Sequence, residues 1–152
     1  MPKPVSCSRE EGPDFLARAS ARCESNGALL TDIRRDVLRL LHENENGLKA
    51  YDILARIKES RANATPPTVY RALDFLMAQG LVHRIARLNQ FVACRHDSHE
   101  FPGVFMVCQR CGKVSELHDQ PLMKMLSATV QRAGHRLECD EIEIPSVCPD
   151  CS

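Results

Sequence analysis

No apolar run in this chain reaches the 18 or so residues that a membrane span needs, which argues against a membrane-embedded protein. The opening MPKPVSCSREEGPD also has no apolar core of the kind a secretory signal carries, so the protein is expected to stay in the cytoplasm. Net charge is missing as well: 20 Lys/Arg stand against 20 Asp/Glu. The balance hides an asymmetry. Residues 1–95 carry +4, from 15 basic and 11 acidic side chains, and residues 96–152 carry −4, from 5 and 9. Only the front half therefore has the charge to meet a polyanion. With 152 residues the chain can bury a real core, as one large or two small domains.

What the chain has in quantity is cysteine, eight in all. In a reducing compartment these are better read as metal ligands than as disulfides. Four fall in two pairs, Cys108-Gln109-Arg110-Cys111 and Cys148-Pro149-Asp150-Cys151. Each Cys-x-x-Cys lets one tight turn aim two thiolates at one ion, and two such pairs supply a closed tetrahedral zinc site. Gly112 follows the first pair and suits the positive-φ residue of a metal knuckle. The 36 residues between Cys111 and Cys148 exceed what a compact zinc ribbon needs, so the site is expected to clip a whole small domain. Disulfide pairing or thioredoxin-like redox chemistry is the other use of the motif.

Residues 1–13 are polar, with Pro2, Pro4, Gly12 and Pro13, and read as a disordered tail. Helical stripes follow at Phe15, Ala19 and Cys23, then at Ile33, Val37, Leu40 and Leu41 behind a Thr31 cap, then at Ile53, Leu54 and Ile57. A fourth helix is expected to start with Pro67 at its first position, because Pro66, preceding a proline, is pushed away from the α region. Its Val69, Ala72, Leu73 and Leu76 point inward, with Tyr70, Arg71 and Asp74 opposite and Thr68 at the edge. Two short apolar segments, Leu81–Ile85 and Phe91–Cys94, complete a winged helix-turn-helix over residues 14–95. The fourth helix would enter the DNA major groove by its N-terminal end. A solvated helical surface in an interaction module is the plainer alternative.

Residues 96–103, polar and closing in Pro102-Gly103, read as a hinge. Beyond it, residues 104–152 read as a small α/β domain: strands Val104–Cys108 and Lys113–Leu117, a helix from about Gln120 to Ala133, and a strand from about Arg136 to Ile144. Leu122, Leu126 and Val130 form the stripe of that helix, with Met123 beside it. The domain is too small to bury its apolar faces alone, which points to dimerisation. The fold class is thus α+β: an N-terminal winged helix-turn-helix domain, then a small α/β dimerisation domain clipped by a four-cysteine zinc site.

A second ligand set is more dispersed. His83 and Cys94 sit in the two hairpin strands, His96 and His99 in the hinge, and Glu116 five residues after Cys111. One Cys, two His and one Glu make an acceptable zinc set, and a thiolate favours zinc over Fe(II) or Mn(II). Each residue also has an ordinary reading: a buried filler for Cys94, a core histidine for His83, a surface charge for Glu116.

Tyr51-Asp52, Pro66-Pro67-Thr68-Val69-Tyr70-Arg71-Ala72-Leu73-Asp74-Phe75-Leu76, Gly80-Leu81-Val82-His83 and Cys108-Gln109-Arg110-Cys111-Gly112-Lys113-Val114 closely resemble the ferric uptake regulator (Fur) family. Within it, the long Pro-Pro-Thr run, His83 and Cys94 resemble the zinc uptake regulator (Zur) branch. The resemblance covers roughly residues 14–151. It implies a dimeric, zinc-responsive repressor of zinc-acquisition genes that binds double-stranded operator DNA, with no enzymatic activity, no membrane partner and no small organic ligand. It also implies two Zn2+ per chain: a structural ion on Cys108, Cys111, Cys148 and Cys151, and a regulatory ion on His83, Cys94, His99 and Glu116.

Tyr51 and Arg71 match the family's DNA-contacting positions; Thr68 and Tyr70 join them from the same helix surface. Many members carry a compact His-His-Asp-His before the first cysteine pair, whereas His96-Asp97-Ser98-His99 here lies eight residues ahead of Cys108. His96 is therefore the alternative to His99. Pro145 stands where many members have a histidine, which argues against a third site. The other readings are a family member answering to iron, manganese or peroxide, and a Cys-x-x-Cys thiol oxidoreductase.

Overall fold

The structure, a computed structural model, describes residues 14–95, 101–139 and 141–152. They divide at Arg95/His96 into two compact units.

The first unit holds four helices and a hairpin. These are α1 (Asp14–Ser25), α2 (Asp32–Glu43), α3 (Ala50–Ser60), α4 (Pro66–Ala78), β1 (Val82–Ile85) and β2 (Gln90–Ala93). Its core is aliphatic and continuous: Val37, Leu38 and Leu41 of α2 meet Ile53 and Ile57 of α3 and Val69, Leu73 and Leu76 of α4. Leu38 was absent from the expected stripe and is fully buried, because α2 is flanked by α3 and α4 and so buries more than one stripe.

Helix α4 starts one residue earlier than expected, at Pro66. The Thr65 carbonyl accepts from the N–H groups of Thr68 (3.0 Å) and Val69 (3.3 Å), which makes Thr65 the N-cap. Both prolines then occupy the first turn, where a missing N–H has no intrahelical partner to lose.

Strands β1 and β2 pair antiparallel from Val82↔Ala93 to Ile85↔Gln90, joined by one 3-10 turn, Ala86–Leu88. A further rung comes from outside the hairpin: Leu48 and Phe91 exchange backbone hydrogen bonds of 3.0 and 2.8 Å. Gly47 permits it, for at φ +81° its backbone runs so close that a Cβ would lie 2.6 Å from the Phe91 carbonyl oxygen. The hairpin has two faces. Val82, Phe91 and Ala93 belong to the helical core, whereas His83, Ile85, Val92 and Cys94 point to the other side and are buried too.

The second unit is a three-stranded sheet with one helix: β3 (Gly103–Cys108), β4 (Val114–Leu117), α5 (Gln120–Arg132) and β5 (Glu141–Ser146), in strand order β4-β3-β5. The expected last strand, Arg136–Ile144, is shorter at its start and longer at its end. It forms only where β3 offers partners, from Gly103↔Glu141 to Cys108↔Ser146, and residues 135–139 form no strand. Pro145 is tolerated inside it because β5 lies at the sheet edge.

On α5 the buried stripe is rotated from the expected one. Met123 is the buried residue and Leu122 is 38 % exposed. Asp119 caps this helix, its carboxylate accepting from Leu122 N–H at 2.8 Å. Among the described residues no helix is long and apolar enough to cross a membrane.

Candidate metal centre and nucleic-acid surface

The two cysteine pairs meet because β3 and β5 run parallel and in register. Their ladder ends at Cys108↔Ser146, so Cys108 and Cys148 leave the sheet at the same edge. Gln109 N–H donates to the Ser146 carbonyl at 2.9 Å and carries the ladder one step into the knuckle. Both pairs then turn tightly. Gly112 N–H donates to the Cys108 carbonyl, and Cys151 N–H to that of Cys148, each at 3.0 Å. Gly112 sits at φ +74° with open space around it, so conformation rather than room requires glycine there.

All four sulfurs lie within 4.8 Å of one another, and Cys111 Sγ and Cys148 Sγ are 3.6 Å apart. Tetrahedral zinc with bonds of about 2.3 Å sets its sulfurs at about 3.8 Å, so the donor set fits a zinc ion. Spacing gave no sign of the ties outside the sulfurs: Arg110 donates to the Cys151 carbonyl, and Lys113 pairs with Asp150 at 3.0 Å.

The electrostatics of the cluster differ from thiol to thiol. Cys148 N–H donates to Cys108 Sγ at 3.4 Å, and with the amides of Cys111 and Arg110 it lowers the Cys108 thiol to about 6. The remaining thiols meet the opposite force. Cys151 is pushed up to about 12, chiefly because its thiol shares hydrogen bonds with Cys148 and Cys111, and burial raises Cys148. The first thiolate forms easily and the last cannot form beside the others unless a divalent ion neutralises them. A disulfide-exchange site needs one activated thiol beside a resolving partner; here four sulfurs converge instead.

In the winged unit, a His83 ring nitrogen and Cys94 Sγ also lie within 4.8 Å of each other. His83 stands opposite Val92 in the hairpin register, and Cys94 N–H extends the ladder by donating to the Leu81 carbonyl at 2.8 Å. His83 is the one polar or charged side chain that is buried among the described residues. Glu116 is half-buried in β4 of the other unit, opposite Phe105. His96 and His99 lie outside the described residues, as do the expected tail and most of the hinge.

The expected DNA-facing residues are on the surface. Tyr51 is 79 % exposed in the first turn of α3, and Tyr70 is 51 % exposed on α4 beside exposed Arg71. The chain has two tyrosines, and holding both rings in water costs apolar burial that the core could have used. Arg71 Nε donates to the Pro67 carbonyl at 3.3 Å, which lays the guanidinium along the start of α4. Thr68 is half-buried, its hydroxyl 2.9 Å from that of Thr65.

A winged helix-turn-helix followed by an α/β unit with four converging thiols defines a DNA-binding type of fold with a built-in metal knuckle. The chain belongs to the ferric uptake regulator family, whose model matches residues 25–144. It is 34 % identical over 139 residues to the zinc uptake regulation protein of Escherichia coli K12, covering 91 % of this chain and 81 % of that one. It is 28 % identical over 141 residues to the ferric uptake regulation protein of Legionella pneumophila, with coverages of 87 % and 97 %. Among solved structures it resembles a zinc uptake regulator complexed with zinc and DNA, at TM-score 0.80 and 34 % identity, over 91 % of this chain and 93 % of that one.

Proposed function

We propose that this chain is a zinc-sensing transcriptional repressor that binds palindromic operator DNA as a zinc-loaded homodimer and represses zinc-uptake genes. It works by binding alone and does no chemistry on its ligand; its place of work is the cytoplasm, with the DNA. The observation that carries the zinc assignment is the buried Cys94 thiol beside His83 in the hairpin of a DNA-binding unit. A soft sulfur donor selects zinc, whereas sets of nitrogen and oxygen alone suit Fe(II) or Mn(II). The similarity to a protein named for zinc uptake supports the same choice.

Two Zn2+ per chain follow from this reading. Cys108, Cys111, Cys148 and Cys151 hold one permanently, as structure. His83, Cys94, His99 and Glu116 hold the other, with His96 as the alternative to His99. Bound zinc supplies each set with the positive charge that lets its donors converge. The residues of the second set come from both units and the segment between them. Engaging them together selects one arrangement of the two winged helices in a dimer, the one matching half-sites about one helical turn, or a multiple of it, apart. A coupling of about 1–3 kcal/mol per site is typical of such linkage. The exposed apolar side chains Leu122, Met125, Ile144 and Val147 of the second unit supply material for the dimer interface. Tyr51, Thr68, Tyr70 and Arg71 make the DNA surface, with Arg71 suited to guanine O6 and N7.

The test is zinc content and operator affinity at buffered free zinc, for the parent and for Cys94→Ser. The variant is expected to fold, keep about one zinc per chain, and lose operator affinity at zinc levels that saturate the parent. A variant that keeps a second zinc and full zinc-dependent affinity would sink the assignment of Cys94. Tighter operator binding with Fe(II) or Mn(II) than with zinc would move the protein to the iron or manganese reading. Arg71→Ala is expected to cost about 1–3 kcal/mol on the operator and less on random DNA.

A further inference from the structure

Beside the start of α4 lies an open depression of about 360 Å3 that shares only Thr68 with the DNA residues named above. It is lined by Ile33, Arg61, Ala62, Asn63, Ala64 and Thr68, with no carboxylate among them. We propose that this depression, built on the turn between α3 and α4, grips the sugar–phosphate backbone of bound DNA, and that Asp36 restrains the Arg61 that does so. The inference rests on the operator reading, since it takes the surface around Thr68 and Arg71 to face DNA.

The lining has the two chemistries of a DNA strand. Ile33, Ala62 and Ala64 give an apolar wall against which a deoxyribose can lie, and the two alanines are small enough to let a backbone come close. Arg61, Asn63 and Thr68 provide donors for the phosphate between the sugars. Thr68 belongs both to the depression and to the exposed edge of α4, so the backbone contact continues directly into the groove-reading surface.

Arg61 is not idle in the protein alone. Its Nε and guanidinium reach Asp36 Oδ2 at 2.9 and 2.8 Å, and Arg39 approaches the same carboxylate at 3.5 Å. Arg61 remains 41 % exposed on its side chain, so a phosphate can reach it in competition with Asp36. Asp36 thus holds the guanidinium in place at the rim while lowering the charge it offers. A contact made only to the backbone should act on every sequence alike and should show in the salt dependence.

The experiment measures affinity of the zinc-loaded protein between 50 and 200 mM salt, on a random-sequence duplex and on the palindrome it selects from a random pool. Losing one phosphate contact reduces the salt-induced fall in affinity over that range by about threefold. Arg61→Ala is expected to show that change on both duplexes and to leave the preference between them intact. Asp36→Asn is expected to tighten binding to both, and to lose most of that effect in the Arg61→Ala background, where only Arg39 is left beside the position.

A parent-like salt slope in Arg61→Ala would overturn the proposal, as would Asp36→Asn acting equally with and without Arg61. If the variants instead changed only the joining of a second dimer to the same duplex, the depression would be a protein contact and the proposal would fall. Loss of palindrome preference in the parent itself would remove the operator reading without touching the backbone contact on random DNA.

Discussion

The two units of this chain are held together by different physics. In the winged unit, twenty buried residues from four helices, both hairpin strands and the segments that connect them form one continuous core. In the second unit, apart from its cysteines, the buried residues among those described are Val104, Phe105, Val107, Val114 and Met123, while Leu122, Met125, Ile144 and Val147 stay exposed. A unit with so little core depends on a staple. The four converging sulfurs are placed to be that staple, closing β3 onto β5 at the edge where the chain ends. The winged unit is therefore sensitive to lost packing, and the other to a missing sulfur.

Removing a sulfur should have the largest effect. Structural zinc in small domains contributes on the order of 10–16 kcal/mol of apparent binding free energy at neutral pH. Cys148→Ser is expected to lose zinc and unfold residues 101–152 while the winged unit keeps its helices. Zinc content with circular dichroism during heating reads both halves of the claim. A variant with full zinc content and one sharp transition at the parent's temperature would erase the contrast.

The complementary cut is Leu41→Ala. Leu41 is fully buried among helices, so the substitution should cost about 2–5 kcal/mol of the winged unit's stability. It should leave the four-cysteine zinc in place. Loss of that zinc together with the helical signal would mean the units do not stand independently.

The metal-free cluster gives a smaller, chemical test. Thiolate absorbance should rise in separated waves that belong to the cluster as a whole, a first near pH 6 led by Cys108 and a last near pH 12 led by Cys151. The signs oppose each other in stability. The lowered thiol contributes fully above its unfolded value near 9 and loses its contribution as pH falls through 6; the raised thiol contributes below 9 and loses it as pH rises through 12. A single wave near pH 9 would show that the sulfurs neither share protons nor accept amide hydrogen bonds.

The smallest expected effect is Lys113→Met. The Lys113–Asp150 pair joins the two knuckles at 3.0 Å, but its partners are 46 % and 74 % exposed. Such an exposed pair is weak and is screened by salt. Zinc retention under a chelator should barely change; a marked loss would make the pair part of the staple.

Much of this was legible in the amino-acid order. The Cys-x-x-Cys pairs, the bounds of α3 and the inward face of α4 are local patterns. They depend on residues three or four apart, and those spacings mean the same thing in any context. His83 and Cys94 were assigned to the two strands of one hairpin, and a His83 ring nitrogen and Cys94 Sγ do lie within 4.8 Å of each other.

Tertiary structure decided what depends on a distant partner. Pro145 entered a strand and residues 135–139 did not, because β5 exists only where β3 supplies hydrogen bonds. Met123 replaced Leu122 as the buried residue of α5, because a one-sided helix turns to whatever surface is present and its own periodicity fits both. Gly47 and Leu48 joined the hairpin through Phe91, a contact set by the packing of α2 against β2 and absent from any local signal. The composition of the metal cluster was thus determined by sequence, and the parallel pairing of β3 with β5 brought its halves together across 36 residues. Ligand chemistry is a property of side chains, whereas convergence is a property of backbone hydrogen bonds between segments far apart in the chain.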